Sequence, residues 1–370
     1  KILNNSNVYL SSPKVMSTIH SMIYRYQSLN IIDQKNIENS DTFNFNFILK
    51  NNDDSINHVY IIDEASMIGN NKSESEFLRF GSGKLLSDLI DYSECVEPNN
   101  NKKIIFIGDD SQLPPVDNNN ENIISPALSA NYLKSNFSNL KINEFSLKEI
   151  HRQNKSSLIL ENSLIIRKQL QENKFNFFDL KNDKESFIHY DDVYELIEKF
   201  LEHFKLGEIN NPVIITWKNS SVKKYNDIIR KRIFKDNTLD LKENETLMII
   251  QNNLMHNVSN GENCIVDKIY SSTEVINQPI TRVGGGKPLI VELKFKNVRL
   301  RKFNYELNQE ELFDAKIIEN TLDADVSNID ANTNRALFVY VKNKIIEKTG
   351  DKNIIKNNKN LFSEILLNDP

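Results

Sequence analysis

The chain has 370 residues, enough for about two or three domains of ordinary size. Its formal net charge of −5 excludes a globally basic nucleic-acid-binding protein, so any contact with nucleic acid must come from a local groove. Its two cysteines, Cys95 and Cys264, have neither metal-ligand spacing nor the pattern of a disulfide framework. No apolar run approaches the length of a membrane helix, and we expect a protein of the reducing cytoplasm.

In chain order, the first predicted element is a helix that starts near Ser17. Serine is a frequent helix cap, and apolar residues follow at helical spacing: Ile19, Met22, Ile23 and Tyr26. The hydroxyl of Thr18 and the start of this helix are suitable donors to a nucleic-acid phosphate, with His20 close by in sequence. The alternative is an ordinary helix cap with a surface histidine.

Two short apolar runs organise the N-terminal half: Val59-Tyr60-Ile61-Ile62 and Lys103-Ile104-Ile105-Phe106-Ile107. Each predicts a strand too apolar to face water on either side, as at the centre of a parallel sheet. The first run ends in Asp63-Glu64 and the second in Gly108-Asp109. Because the ligand crevice of an open α/β sheet lies outside the carboxyl ends of its strands, we expect these carboxylates to converge.

The paired carboxylates Asp63 and Glu64 suit a nucleotide site. One carboxylate can hold a Mg²⁺ ion that neutralises phosphate oxygens, and the other can orient an attacking water. The alternative is a pair of solvated turn residues. The second strand, with Asp109 and the amide of Gln112 beyond it, favours the phosphate site. We therefore predict a phosphate-binding site that uses Mg²⁺.

One glycine-rich run, Gly81-Ser82-Gly83-Lys84, could be mistaken for a phosphate-binding loop. The pattern G-x-x-x-x-G-K-[ST] requires glycine where this chain has Leu78 and a hydroxyl residue where it has Leu85. The run also follows the Asp63-Glu64 strand, whereas a phosphate loop should precede it. We interpret it as the start of a crossover helix that buries Leu85, Leu86, Leu89 and Ile90.

In the second half, residues 212–217 predict another buried strand, which would open a second sheet. A basic amphipathic helix is predicted over Asn219–Phe234, and its basic residues face either solvent or DNA. Alternating strands are expected from Leu247 to about Phe303, with a tight turn at Asn260-Gly261. The chain becomes helical again from Ala331.

Several of these motifs resemble those of one family. Ile61-Ile62-Asp63-Glu64-Ala65-Ser66-Met67 resembles motif II, the Walker B element of superfamily 1 helicases. Gly108-Asp109-Asp110-Ser111-Gln112-Leu113-Pro114-Pro115-Val116 resembles their motif III in the form characteristic of the RecD-like branch, which moves 5′ to 3′ on single-stranded DNA. Thr18-Ile19-His20 is similar to motif Ib, and Leu147-Lys148-Glu149-Ile150-His151-Arg152-Gln153 to motif IV. The resemblance covers nearly the whole chain.

The resemblance implies an α/β fold with two incomplete RecA-like P-loop NTPase domains, parallel sheets and a small β-barrel insert in the second domain. The expected bounds are 1–145 for the first domain and 146–245 for the first part of the second. The barrel would cover 246–305, and a helical continuation of the second domain would cover 306–370. The family's Walker A loop, motif Ia and motifs V and VI have no counterpart in this chain.

The implied function is ATP-dependent helicase or translocase activity on single-stranded DNA or a duplex junction, in repair or recombination. Catalytic roles would fall on Glu64, which activates water, and on Gln112 and Arg152, which read the γ-phosphate. Asp63 would hold Mg²⁺, and Asp109 would join the nucleotide-binding set. The residues expected along DNA are Thr18, His20, Pro114, Pro115, Asn219 and Asn226.

Other readings stay open from the sequence. Arg152 could be a surface ion-pair residue, and the two prolines could form a rigid turn without a signalling role. The whole module could bind DNA or a partner without hydrolysing ATP, and an RNA-directed motor is a third option. Because the phosphate-loop lysine and the last arginine of the family are missing, we expect this segment alone to hydrolyse ATP poorly or not at all.

Overall fold

The structure, a computed structural model, describes residues 17–31, 43–72, 77–98, 101–115, 125–147, 149–150, 157–172, 174, 179–183, 185–236, 238, 240–251, 253, 256, 258–282, 286–304, 307–322 and 329–351. The chain divides into two compact units. The N-terminal unit contains residues 1–30 and 44–188, and the C-terminal unit contains residues 31–43 and 189–370. Parallel and antiparallel sheets with helices make the fold a mixed α/β one, so the predicted α/β class is confirmed at that level.

The N-terminal unit contains short strands and four helices in the described ranges. In chain order these are α1 (Ile19–Ile23), β1 (Tyr24–Ile31), β2 (Phe43–Leu49), β3 (Val59–Ile62), β4 (Leu78–Phe80), α2 (Leu85–Ser93), β5 (Lys103–Phe106), α3 (Ala130–Asn136) and α4 (Leu158–Gln171). Strands β1, β2 and β4 form one sheet, in which β2 and β4 are parallel. Strands β3 and β5 form a second sheet, also parallel.

The core of this unit forms between helix α2 and strand β3. Leu86 and Leu89 of α2 have no exposed surface, and Tyr60 and Ile62 of β3 are 4% and 6% exposed. Each such side chain contributes about 1.5–3 kcal/mol through removal of apolar surface from water. The predicted inward face of the crossover helix is therefore confirmed for Leu86, Leu89 and Ile90.

The prediction that β3 and β5 are buried on both faces is wrong in the described structure. Val59 and Ile61 of β3 are 49% and 52% exposed, and Ile105 of β5 is 47% exposed. The two strands pair only with each other, and the core cluster lies against the face that carries Tyr60 and Ile62. Among the described residues, no element covers the opposite face of this pair.

The Gly81-Ser82-Gly83-Lys84 loop joins β4 to α2, but its amides are already bonded. Ser82 N donates to Asp88 Oδ2 at 3.0 Å, and Gly83 N donates to the Phe80 carbonyl at 2.7 Å. Tyr24 also donates its hydroxyl to Asp88 Oδ2 at 2.6 Å, so the loop is tied to a carboxylate that is 1% exposed. The Asp88 carboxylate therefore occupies the Ser82 amide and the Phe80 carbonyl occupies the Gly83 amide, which agrees with our interpretation that this run is no phosphate loop.

The C-terminal unit begins with two amphipathic helices, α5 (Val193–His203) and α6 (Asn219–Phe234). The helix predicted over Asn219–Phe234 is confirmed. The strand predicted at residues 212–217 is wrong, because these residues form no strand, and Ile215 and Trp217 are 91% and 87% exposed. An apolar segment forms a buried strand only where neighbouring strands accept its backbone hydrogen bonds, and the described part of the chain provides none there.

An antiparallel sheet dominates the remainder of this unit. Its strands are β6 (Thr246–Met248), β7 (Asn263–Ile269), β8 (Glu274–Ile280), β9 (Leu289–Asn304) and β10 (Gln309–Ile318), and helix α7 (Ala331–Thr349) follows. The long strand β9 pairs with β10 on one side, while β7 and β8 pair with successive parts of β9. Cys264, Val266 and Val298 are fully buried in this sheet's core.

This sheet bears on two expectations from the sequence. The strands predicted between Leu247 and about Phe303 form, but the sheet continues through β10, within the range expected to be helical. The predicted barrel is not found, because the described strands follow the open order β10-β9-β7-β6 with β8 on β9 and do not close on themselves. The helix predicted from Ala331 is confirmed as α7.

The buried carboxylate of Asp88 provides a test of this packing. Asp88→Ala would leave the Tyr24 hydroxyl and the Ser82 amide without their acceptor, and we expect a loss of about 2–3 kcal/mol in the free energy of unfolding. Urea denaturation followed by circular dichroism measures the change. The exposed Asp91→Ala on the same helix is the control and should change it by less than about 0.5 kcal/mol. Equal losses in both variants would contradict the assigned hydrogen bonds.

Candidate functional site

The carboxyl ends of β3 and β5 lie side by side, as predicted. Their parallel register pairs Ile62 with Phe106. Beyond the strands, Ile107 N donates to Ile62 O at 2.8 Å, and Ala65 N donates to Ile107 O at 2.9 Å. The backbone hydrogen bonding between the two segments therefore continues past the end of each strand, to Ile107 after β5 and to Ala65 after β3. The segments that begin at Asp63 and Gly108 consequently start at the same edge of the sheet.

A close approach at Gly108 keeps these two segments in contact. A Cβ atom at Gly108 would lie 3.0 Å from the backbone nitrogen of Ser66 and 3.0 Å from Leu128 Cδ1. These distances are tighter than those of most Cβ atoms, so a side chain at position 108 would push the neighbouring backbone away by a few tenths of an ångström. Glycine between the second strand and its carboxylate avoids this shift.

Asp63 and Glu64 both present exposed side chains at this edge. Glu64 adopts a left-handed backbone conformation, with φ 52° and ψ 40°, and a short 3₁₀ helix, Ala65–Met67, follows. Asp63 Oδ1 accepts a hydrogen bond from Glu64 N at 2.9 Å, which stabilises the turn. A non-glycine residue in this region costs about 1–3 kcal/mol, and such strain clusters at functional sites.

The arrangement of acidic groups bears on the predicted Mg²⁺ ion. Within the described ranges, no group of three or more His, Cys, Asp or Glu side chains could hold a metal ion. Mg²⁺ commonly binds through one or two carboxylates together with substrate phosphates and water, so exposed Asp63 fits an ion that arrives with a nucleotide. The described residues at this edge do not form a metal site built from protein ligands alone.

The loop after β5 folds around the carboxylate of Asp109. Asp109 Oδ1 accepts from Ser111 N at 3.0 Å, and the Asp109 carbonyl accepts from Gln112 N at 3.0 Å. The resulting turn leaves the Gln112 side chain exposed. Pro115 lies against Gly69, where a Cβ atom would approach Pro115 Cβ to 3.2 Å. The loop is thus fixed at both ends while Gln112 stays available to a ligand.

The sequence reading missed two residues at this edge. Arg167 of α4 donates from Nη2 to Asp109 Oδ1 at 2.8 Å, so the carboxylate predicted to bind nucleotide already has a cationic partner. Ser66 is fully buried, and its hydroxyl has no hydrogen-bond partner among the residues that the structure describes. No pattern in the sequence connects position 167 with position 109. The predicted Arg152 lies outside the described residues.

The two residues predicted from motif Ib have local roles. Thr18, not Ser17, caps α1, and its hydroxyl accepts from Ser21 N at 3.2 Å. The helix ends at Ile23, so the expectation that Tyr26 belongs to its apolar face is wrong and Tyr26 lies in β1. The His20 ring packs edge-on against Phe80, with the ring centroids 4.9 Å apart. Burial lowers the pKa of His20, so the ring is neutral at physiological pH and presents no cation to a phosphate.

Asn219 and Asn226 lie on α6 in the C-terminal unit, and both are exposed. Seven residues separate them in the sequence, which is about two helical turns, so they lie on one face of the helix. Two of the basic residues on this helix already have carboxylate partners: Arg230 with Glu245, and Arg232 with Glu198. Solvation and internal pairing therefore account for part of the helix charge.

Comparisons with known proteins leave the function open. No family model matches the chain. The chain is similar to an uncharacterized protein of Acanthamoeba polyphaga mimivirus, with 26% identity over 189 residues. The match covers 50% of this chain and 33% of the viral protein, so the chain spans about a third of that relative. In the part of the chain that the structure describes, no helix has the length and apolar character to cross a membrane.

The backbone strain at Glu64 can be measured. Asparagine tolerates the left-handed region better than glutamate does, and Glu64→Asn should raise the free energy of unfolding by about 0.5–1 kcal/mol. Asp63→Asn is the matched control, since it removes the neighbouring carboxylate at a position without a positive φ. Urea denaturation compares the two variants. A stability gain in the control alone, or a loss in Glu64→Asn, would contradict the assignment of strain.

Proposed function

We propose that this chain forms the nucleotide-binding part of a superfamily 1 DNA helicase of the RecD-like branch, which couples ATP hydrolysis to 5′-to-3′ movement on single-stranded DNA. The observation that carries the proposal is the parallel pairing of β3 and β5, which brings Asp63-Glu64 and the Gly108–Gln112 turn to one edge. The proposed architecture is a pair of RecA-like domains. Helicase activity is proposed for the whole protein to which the chain belongs.

The proposed roles follow from exposure and chemistry at this edge. Asp63 would hold the Mg²⁺ ion, whose charge neutralises phosphate oxygens when it is bound. Glu64 projects an exposed carboxylate from a fixed turn, which suits a general base that accepts a proton from water. Gln112 carries an amide that can donate to the γ-phosphate and accept from water.

The remaining roles rest on the resemblance. Arg152 would stabilise charge on the γ-phosphate, a role in which an arginine contributes about 10³–10⁵ in rate. Contact with the DNA backbone is proposed for Thr18 and for the exposed amides Asn219 and Asn226. For His20, the neutral ring limits the proposal to a hydrogen bond or a packing contact. Pro114 and Pro115 would transmit movement of the Gln112 turn to DNA.

A second candidate is a module that binds DNA or a partner and does not hydrolyse ATP. The observation that favours it is the ion pair between Arg167 Nη2 and Asp109 Oδ1 at 2.8 Å, because it already gives a carboxylate of the proposed nucleotide set a cationic partner. On this alternative the edge at Asp63 would still be an acidic surface but would bind nucleotide weakly or not at all. Nucleotide titration distinguishes the two.

The first experiment is calorimetric titration of the chain with Mg²⁺ and ATPγS. We expect measurable binding that EDTA abolishes, and Asp63→Asn should weaken it by about 10-fold or more because the ion loses its carboxylate ligand. Asp110→Asn is the control, since Asp110 is exposed beside the same turn. The absence of binding in the wild-type chain, or equal effects of both substitutions, would favour the non-hydrolysing module.

The second experiment concerns hydrolysis in the full-length protein. Glu64→Gln should leave ATPγS affinity unchanged and lower steady-state ATPase turnover by about 10²–10⁴, because the amide cannot accept the proton of the attacking water. Glu97→Gln, an exposed residue after α2, is the control and should retain full turnover. Normal turnover in Glu64→Gln would assign the general base to another residue.

A further inference from the structure

Asp109 joins its own turn to helix α4 of the N-terminal unit. Its Oδ1 atom accepts from Ser111 N at 3.0 Å and from Arg167 Nη2 at 2.8 Å. Its backbone carbonyl accepts from Gln112 N at 3.0 Å. The turn that carries Gln112 is therefore organised around Asp109, and Asp109 is attached to α4 through a single arginine.

Helix α4 is a fixed support for this contact. Its Asn162 is 3% exposed, donates from Nδ2 to the Lys181 carbonyl at 2.8 Å and accepts from Lys181 N at 2.8 Å. These two hydrogen bonds hold residues 179–183 against the helix. Arg167 lies five residues after Asn162 on the same helix, so its guanidinium projects from an anchored element toward the turn.

We propose that Arg167 is a positioning residue that holds the Asp109 turn and thereby presents Gln112 to the γ-phosphate. The inference rests on the proposed nucleotide function of this edge. The side chains of Arg167 and Asp109 are 41% and 30% exposed, so the ion pair is screened by water and shifts an equilibrium by only about 3-fold. A contact of that strength stabilises the turn yet can yield to a competing anion such as a nucleotide phosphate.

Two measurements on the chain test this inference. The first is hydrogen–deuterium exchange across residues 108–113, where the Ser111 and Gln112 amides depend on Asp109. Arg167→Ala should speed exchange there by about 3-fold. The second is the ratio of the dissociation constants for ADP and ATPγS. This ratio should fall by about 3-fold, because only ATPγS has the group that Gln112 would read.

Two further variants separate positioning from general destabilisation. Lys168→Ala removes the adjacent basic residue of α4, whose side chain is 76% exposed and lies 4.0 Å from Glu172, and it should change neither readout. Arg167→Lys keeps the charge and should restore part of the γ-phosphate preference.

The outcomes distinguish this inference from the proposed function. Exchange in Arg167→Ala that matches Lys168→Ala would overturn the positioning role. Faster exchange with an unchanged ADP-to-ATPγS ratio would overturn the link between Arg167 and the γ-phosphate. If the wild-type chain binds neither nucleotide, the proposed function fails together with that link, and the exchange data alone decide whether Arg167 holds the turn.

Discussion

The parallel hydrogen bonding of β3 to β5 is the constraint on which the candidate site depends. It fixes Ile62 beside Phe106 and continues through Ile107 and Ala65, so the two following segments must begin at one edge. Gly108 then allows these segments to touch, because any side chain there would meet the backbone of Ser66. Without this register, Asp63 and Asp109 would have no reason to be near each other.

The edge combines a strained residue with a stabilised one. Glu64 lies in the left-handed region, where the backbone energy opposes any residue that carries a Cβ atom, and the surrounding turn holds it there. Asp109 is in the opposite situation, since Ser111 and Arg167 both donate to its carboxylate. The Glu64 carboxylate is exposed on a strained backbone, which suits a chemical role. The Asp109 carboxylate is paired with Arg167, which suits a role in organising the turn. That contrast is the physical basis on which we propose a catalytic role for Glu64 and an organising role for Asp109.

The C-terminal unit owes its order to β9. This strand has sixteen residues and pairs with β10 on one side. It pairs first with β8 and then with β7 along its length, which buries Cys264 and Val298 in the sheet core. Its basic side chains are used within the sheet: Arg299 pairs with Asp267, and Arg301 with Glu310. These arginines of β9 therefore form ion pairs with residues of neighbouring strands. Positive charge along a strand is by itself a poor indicator of nucleic-acid contact.

The sequence by itself determined the local elements and the chemistry at their ends. The apolar runs predicted β3 and β5, the spacing of Leu86, Leu89 and Ile90 predicted α2, and the acidic residues after the strands indicated one shared edge. These three predictions succeeded because periodicity and turn residues act over a few neighbouring positions in the sequence. Burial of residues 212–217 and closure of the sheet around β9 were predicted wrongly, since both require partners distant in the chain. The tertiary structure alone decided that Arg167 reaches Asp109, and that the buried Ser66 hydroxyl has no hydrogen-bond partner within the described ranges, because both depend on where separate elements pack.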